Sequence, residues 1–216
     1  MDAIILAGGK GSRMDDHLLK PLVLVKNKPI LAYQLDYFLN SGLIAKIILA
    51  LGHRADEIIS FVKNNYQYAS IDFSVENEPL GTAGAIKQAL LKSSSDFVLV
   101  LNCDDLTDID LNILKKCKEN TICVANPQLP FGLVKENNGY AVFKEKPVLD
   151  AWVSCGWYVF DRNNLLEILP DKGSLEYEVF PKLKLRVLKH KGFWQPLNTK
   201  KDLDEFAEKD LPLILR

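Results

Sequence analysis

The stretch Ala3–Met14, AIILAGGKGSRM, constrains the fold more than any other part of the chain. Ala3 to Leu6 is an apolar run that reads as a buried strand, and it leads at once into three glycines, a lysine and an arginine. A continuously apolar strand belongs in a sheet covered on both faces. Its carboxyl end is where open α/β sheets bind their ligands. Glycines at 8, 9 and 11 let successive N–H groups approach an anion with no Cβ in the way. Lys10 and Arg13 can neutralise phosphate oxygens, the arginine with a planar fork. A tight strand-to-helix turn with solvated cations explains the glycines equally well when they are taken alone. The spacing is neither G-x-x-x-x-G-K-[ST] nor G-x-G-x-x-G, which disfavours a simple ATPase and a dinucleotide oxidoreductase.

Up to about residue 125 strand and helix patterns alternate, the signature of a parallel sheet with helices on its faces. Strands are expected at Ala3–Leu6, Ile47–Leu51, Ile71–Val75, Phe97–Leu101 and Thr121–Val124. Amphipathic helices fall at Pro29–Leu39, Ala55–Lys63, Thr82–Leu91 and Leu111–Cys117, with Pro29 suited to a first turn. Later runs at Phe131–Val134, Tyr140–Lys144 and Val153–Phe160 suggest an antiparallel meander, and Leu175–Leu183 and Lys200–Glu208 suggest helices. Asn138-Gly139 between two of these runs is a hairpin signal. The expected fold is a single Rossmann-like, three-layer α/β domain over residues 1–216, with a predominantly parallel mixed sheet and the meander in its second half.

Lys plus Arg, 27, nearly cancel Asp plus Glu, 28, so no whole-molecule field points to nucleic acid or an anionic membrane. Any anion must be held by a local site. Cys103, Cys117, Cys123 and Cys155 show no C-x-x-C spacing and no pairing with the three histidines, which argues against a disulfide framework or a zinc site. No apolar run reaches the roughly 18 residues of a spanning helix. A cytoplasmic protein is expected, and the sequence leaves open whether it forms a homo-oligomer.

Four segments in order, AIILAGGKGSRM, LKPLVLVKNKPIL, ENEPLGTAGAIKQAL and LVLNCDDL, resemble the sugar-1-phosphate nucleotidyltransferases, which make nucleotide sugars. FGLVKENNGYAVFKEKP, VSCGWYVF and GFWQPLNTKKDL extend the resemblance over nearly the whole chain. It implies attack of a sugar 1-phosphate oxygen on the α-phosphorus of a nucleoside triphosphate, with Mg²⁺ as cofactor and pyrophosphate leaving. Residues 1–125 then form the nucleotide-binding half and 126–216 the sugar-phosphate half.

The resemblance assigns roles residue by residue. Arg13 takes the β- and γ-phosphates, with Leu6, Ala7, Gly8, Gly9, Gly11 and Ser12 forming the loop around the nucleotide. Lys20, in LKPL, reaches the phosphates near the reaction centre; without the resemblance it reads as a surface lysine fixed by Pro21. Asp104, where FVLVL runs out into NCDD, matches the metal-holding aspartate, while Asp105 is read as a turn cap. Glu76 reads the base edge: an ionised carboxylate only accepts, which suits the adjacent N–H donors of guanine. Pro79, Gly81 and Thr82 complete the nucleotide side, with glycines 81 and 84 letting the chain lie against a flat base. Asn102, Tyr140, Glu145, Lys146, Ser154, Gly156 and Trp194 are assigned to the sugar phosphate. Neighbours 145 and 146 can both face a ligand only if the strand ends there, as Pro147 suggests.

Three positions depart from the commoner pattern. Ser154-Cys155-Gly156 replaces Asn-Gly-Gly, which removes an asparagine contact and places Cys155 as bulk beside the sugar. Cys103 replaces glycine, a packing change. Asn198, in FWQPLNT, stands where an aspartate helps hold Mg²⁺ in relatives that look like glucose-1-phosphate cytidylyltransferases. Asparagine offers a carbonyl oxygen without charge, and Asp202 lies too far along a helix to substitute. The leading expectation is GTP with a mannose- or heptose-type 1-phosphate. The alternatives are CTP with glucose 1-phosphate, and a nucleotide-binding regulatory module without turnover.

Overall fold

The computed structural model describes residues 1–9 and 18–215. Strands β1 (Asp2–Leu6), β2 (Leu24–Val25) and β3 (Lys28–Pro29) precede helix α1 (Ile30–Ser41), which closes on Gly42 in the left-handed conformation, φ +63°. Then come β4 (Ile47–Leu51), α2 (Ala55–Asn65), β5 (Ile71–Val75), α3 (Gly81–Leu90), β6 (Phe97–Asn102), β7 (Asp105–Thr107), α4 (Leu111–Lys115) and β8 (Thr121–Ala125). The second half adds β9 (Leu133–Asn137), β10 (Tyr140–Lys144), β11 (Val153–Asp161), α5 (Arg162–Ile168), β12 (Arg186–Lys189), β13 (Trp194–Pro196) and α6 (Lys200–Glu208).

Seven strands form one sheet in the order β12-β8-β11-β6-β1-β4-β5. All pairings in it are parallel except those of β11, which runs against both β6 and β8. The central strands are apolar on both faces, so alternate residues feed two cores. Ile5, Leu49, Leu99 and Leu101 point toward α1 and α2 with Leu31, Leu35, Phe38 and Ile58, while Ile4, Ile48, Val98 and Val100 meet Ile86 and Leu90 of α3. This gives the three-layer α/β arrangement. Because β1, β4, β5 and β6 are parallel, the segments after Leu6, Leu51, Val75 and Asn102 all emerge on one edge.

The antiparallel portion of the second half divides in two. Among the described residues β9 and β10 pair only with each other, across a turn in which Asn138 and Gly139 have φ of +52° and +83°. That is the left-handed pair a two-residue hairpin needs. β11 leaves them and inserts between β6 and β8, because Cys155, Trp157 and Val159 are apolar enough for the sheet interior. Two smaller differences follow from proline. Pro29 is the N-cap of α1 and already pairs with Leu24, so it precedes the first turn. The expected helix Leu175–Leu183 is a wide turn at Leu175–Val179 followed by a 3₁₀ turn at Phe180–Lys182, since Pro181 has no N–H to continue a helix. β7, β12 and β13 are too short to carry a period. No helix among the described residues is long and apolar enough to cross a membrane.

Candidate active site

The edge where the parallel strands end holds a cavity of about 500 Å³, within the range of small-molecule sites. Leu6, Gly8, Gly9, Glu76, Pro79, Gly81 and Thr82 line it, seven of the residues the sequence assigned to the nucleotide. Arg13, Gly11 and Ser12 lie outside the described residues. Ala7 is buried, with its N–H donated to Ala50 O at 2.9 Å, so it supports the cavity from behind. Gly8 is required by packing: a Cβ there would sit 2.9 Å from Gly52 N. At Gly9 a Cβ would meet nothing within 4 Å among the described residues, and Gly9 lines the cavity. Glu76 projects over Gly52, and its Oε2 accepts from Leu80 N at 3.1 Å, which holds the other oxygen near the cavity wall.

The glycines of PLGTAG also answer a packing constraint. A Cβ at Gly81 would come within 2.3 Å of Gly173 O, and one at Gly84 within 2.3 Å of Asp171 O. Both are small so that the loop at 171–173 can pack on the start of α3. Ala83 N donates to Gly173 O at 3.0 Å, which satisfies one N–H of the first turn, and Thr82 Oγ1 accepts from Leu175 N at 2.8 Å, so the loop is bonded to the helix start. Gly52, His53, Ser74, Ala85 and Gln88 also line the cavity and were missed. The ending of β4 in LGHRAD at the same edge as AIILAGG was the available signal.

Beside this cavity three distant segments converge. Cys103 N donates to Leu6 O at 3.1 Å, which sets Asp104 next to the end of β1. The Lys20 ammonium pairs with Asp104 Oδ2 and donates to Asn198 Oδ1 at 3.4 Å. Pro21, in the 3₁₀ turn Lys20–Leu22, is buried and anchors the lysine, while Leu197 N bonds Asp104 O at 2.8 Å and brings Asn198 in. Asp202 is spent on the start of α6: its Oδ2 accepts from Asn198 N at 2.9 Å and Thr199 N at 2.7 Å, a capping box. The two side-chain oxygens of Asp104 and Asn198 thus meet at one point that already takes a positive charge. Hard oxygen donors of this kind fit a magnesium ion, which is held by one or two carboxylates and completes its shell with water and phosphate.

Asp105 is more than the turn cap expected. Its Oδ2 accepts from Asn102 Nδ2 at 3.0 Å and its Oδ1 from Trp194 Nε1 at 3.1 Å. A Cβ on Gly156, φ +75°, would lie 2.1 Å from Asp105 Oδ2, so glycine there makes room for the carboxylate. Burial, and then the neighbouring charge of Asp104, push the Asp105 carboxyl up to about 6. Cys155 is fully buried in the core and adds no bulk beside a ligand; burial pushes its thiol up to about 12. Cys103 is likewise packed in the core.

The remaining assignments lie farther out. β10 ends at Lys144, so Glu145 and Lys146 fall beyond the strand. Lys146, φ +39°, is turned toward α6 and donates to Glu205 Oε1 at 3.0 Å. The Ser154 hydroxyl is 2.9 Å from Tyr158 Oη and accepts from Gly156 N at 3.3 Å. Tyr140 is 79% exposed on the outlying hairpin, which has no partner strand in the main sheet. Lys146, Trp194 and Gln195 share a second cavity of about 660 Å³.

A cavity at the strand ends, flanked by a lysine–carboxylate–amide cluster, defines an α/β protein with its candidate ligand site at the carboxyl edge of the sheet. The chain belongs to the nucleotidyl transferase family, whose sequence profile matches residues 2–193. It is 35% identical over 222 residues to the mannose-1-phosphate guanylyltransferase catalytic subunit beta of Drosophila melanogaster, covering 93% of this chain and 60% of that protein. It is 41% identical over 114 residues to the D-glycero-alpha-D-manno-heptose 1-phosphate guanylyltransferase of Aneurinibacillus thermoaerophilus, covering 51% of this chain and 49% of that protein. The fold is similar to that of HddC from Yersinia pseudotuberculosis, solved as a complex with GMP-PN, with a TM-score of 0.78, 25% identity, and 96% and 98% of the two chains covered.

Proposed function

We propose that this chain transfers a guanylyl group from GTP to a mannose- or heptose-type sugar 1-phosphate. A phosphate oxygen of the sugar 1-phosphate bonds to the α-phosphorus, the bond from that phosphorus to the bridging oxygen breaks, and pyrophosphate leaves with the electron pair. The meeting of Lys20, Asp104 and Asn198 beside the nucleotide-sized cavity carries this reading. The reaction joins two polyanions in line, so positioning and charge neutralisation account for most of the rate. Lys20 supplies a fixed cation at the point where charge accumulates. Asp104 and Asn198 would hold Mg²⁺, which when bound neutralises phosphate charge and orients the oxygens. Residues 1–125 supply most of the nucleotide side, and 126–216, together with Asn102, the sugar-phosphate side, with Lys146 leaving Glu205 to meet the phosphate.

GTP is favoured over CTP by the Glu76 acceptor in the cavity wall and by the guanylyltransferase names of the relatives. A cytoplasmic setting is consistent with Cys103, Cys117, Cys123 and Cys155, none of which forms a disulfide. Melting of the protein with ATP, GTP, CTP, UTP or dTTP, each with Mg²⁺, tests the nucleotide, since a ligand bound only to the folded state raises the midpoint. A rise with GTP alone supports the reading; a rise with CTP alone refutes it.

A further inference from the structure

Asp105 is a partly buried carboxylate whose two side-chain partners among the described residues are both neutral: the Asn102 amide at 3.0 Å and the Trp194 indole at 3.1 Å. Its backbone oxygen is also occupied, accepting from Trp157 Nε1 at 2.9 Å and Gln34 Nε2 at 3.3 Å. An ionised carboxylate withdrawn even partly from water costs free energy unless its hydrogen bonds are complete. An apolar side chain would fill the same space but leave the Asn102 and Trp194 donors without this acceptor, so the carboxylate serves those two groups. Asp105 is therefore poorly explained as packing. Its partners point to the use: Asn102 ends β6 beside Asp104, and Trp194 lines the second cavity together with Lys146 and Gln195.

Each partner has a freedom that Asp105 removes. The Asn102 amide has two faces that differ only in which atom donates, and acceptance of its N–H by Asp105 leaves its carbonyl oxygen for another group. The Trp194 indole has one N–H donor, and binding it to a carboxylate fixes the ring at the cavity wall. Gly156 keeps the approach open, because any Cβ there would strike the carboxylate.

We propose that Asp105 is a positioning residue of the sugar-phosphate side of the site, holding the Asn102 amide and the Trp194 indole in the orientation in which they meet the sugar. The inference rests on the guanylyltransferase reading above. It gives Asp105 and its neighbour Asp104 separate tasks, one on the sugar and one on the phosphates.

Steady-state pyrophosphate release, with GTP and the sugar 1-phosphate varied in turn, tests this in the wild type, Asp105→Asn, Trp194→Phe and the double variant. Asparagine can accept one of the two bonds and not both. The KM for sugar 1-phosphate is expected to rise about tenfold in Asp105→Asn, the size of effect that follows losing one charge-assisted hydrogen bond, with the KM for GTP unchanged. Trp194→Phe keeps most of the ring and removes the donor, so it should raise the same KM. The double variant should then be no worse than the poorer single variant. An unchanged sugar KM in Asp105→Asn, an equal rise for both substrates, or additive effects would overturn the proposal. If Asp105→Asn does not fold, Trp194→Phe decides alone: an unchanged sugar KM refutes the proposal and a selective rise supports it. Absence of turnover in the wild type with any sugar 1-phosphate instead refutes the guanylyltransferase reading itself.

Discussion

Lys20 and Asp104, 84 positions apart in the chain, form a direct ion pair at the end of the central strands, with Asn198 within 3.4 Å of the same ammonium. A lysine that reads in sequence as an ordinary surface residue is thereby fixed at the carboxylate expected to face the reacting phosphates. Asp104→Ala should lower turnover at least a hundredfold, in line with the removal of one preorganised electrostatic group. Its melting point should stay within a few degrees of the wild type, because no core contact is lost. Pyrophosphate release and thermal melting on the same preparation check both halves.

Asn198 supplies one carbonyl oxygen opposite the Asp104 carboxylate. Asn198→Asp keeps the shape and adds a charge, so the Mg²⁺ concentration giving half-maximal activity should fall about tenfold. A magnesium titration of the rate reads this directly. An unchanged midpoint would remove Asn198 from the metal site.

The raised carboxyl of Asp105 has a consequence for stability that can be signed. Its pKa is about 6 in the folded chain against the ordinary value of 3.8. A carboxyl whose folded value lies above its unfolded value contributes most at low pH, and that contribution is lost as pH rises through the window from about 4 to 6. Between pH 4 and 7, in the presence of a chelator, wild type should lose ground against Asp105→Asn by an amount on the order of 5 °C in melting point. A difference between the two proteins that is flat with pH would contradict the assignment.

Glycines 84 and 9 should behave oppositely. Gly84→Ala forces a Cβ to 2.3 Å from Asp171 O, a backbone atom that cannot swing aside, so a loss of about 1–3 kcal/mol is expected by denaturant unfolding. Gly9→Ala has no atom within 4 Å to strike among the described residues and should leave the midpoint unchanged. If the loop approaches phosphate as its composition suggests, Gly9→Ala should still raise the KM for GTP several-fold.

The parts of the fold legible in the sequence were those with a strong period. The apolar runs Ala3–Leu6, Ile47–Leu51 and Phe97–Leu101 could belong only to a covered sheet, and Asn138-Gly139 could hardly be anything but a hairpin turn. β7 and β13 were not legible, since three residues carry no period and their pairing of Asp105 with Pro196 is set by tertiary contacts. The cavity was readable where the motif itself forms the wall, as at Gly8 and Glu76, and unreadable where the wall comes from the next strand, as at Gly52 and Ser74. The packing role of Gly84 was not legible because its neighbour, Asp171, is distant in sequence. Asp105 was misread because its partner Trp194 lies 89 positions away.

The most direct test is pyrophosphate release from GTP and Mg²⁺ with mannose 1-phosphate and with a heptose 1-phosphate, run beside Asp104→Ala. Release with one of these sugars, dependent on GTP and abolished in the variant, is the expected result. Release from CTP in preference to GTP, or undiminished release in Asp104→Ala, would contradict the assignment of this cluster as the centre of guanylyl transfer.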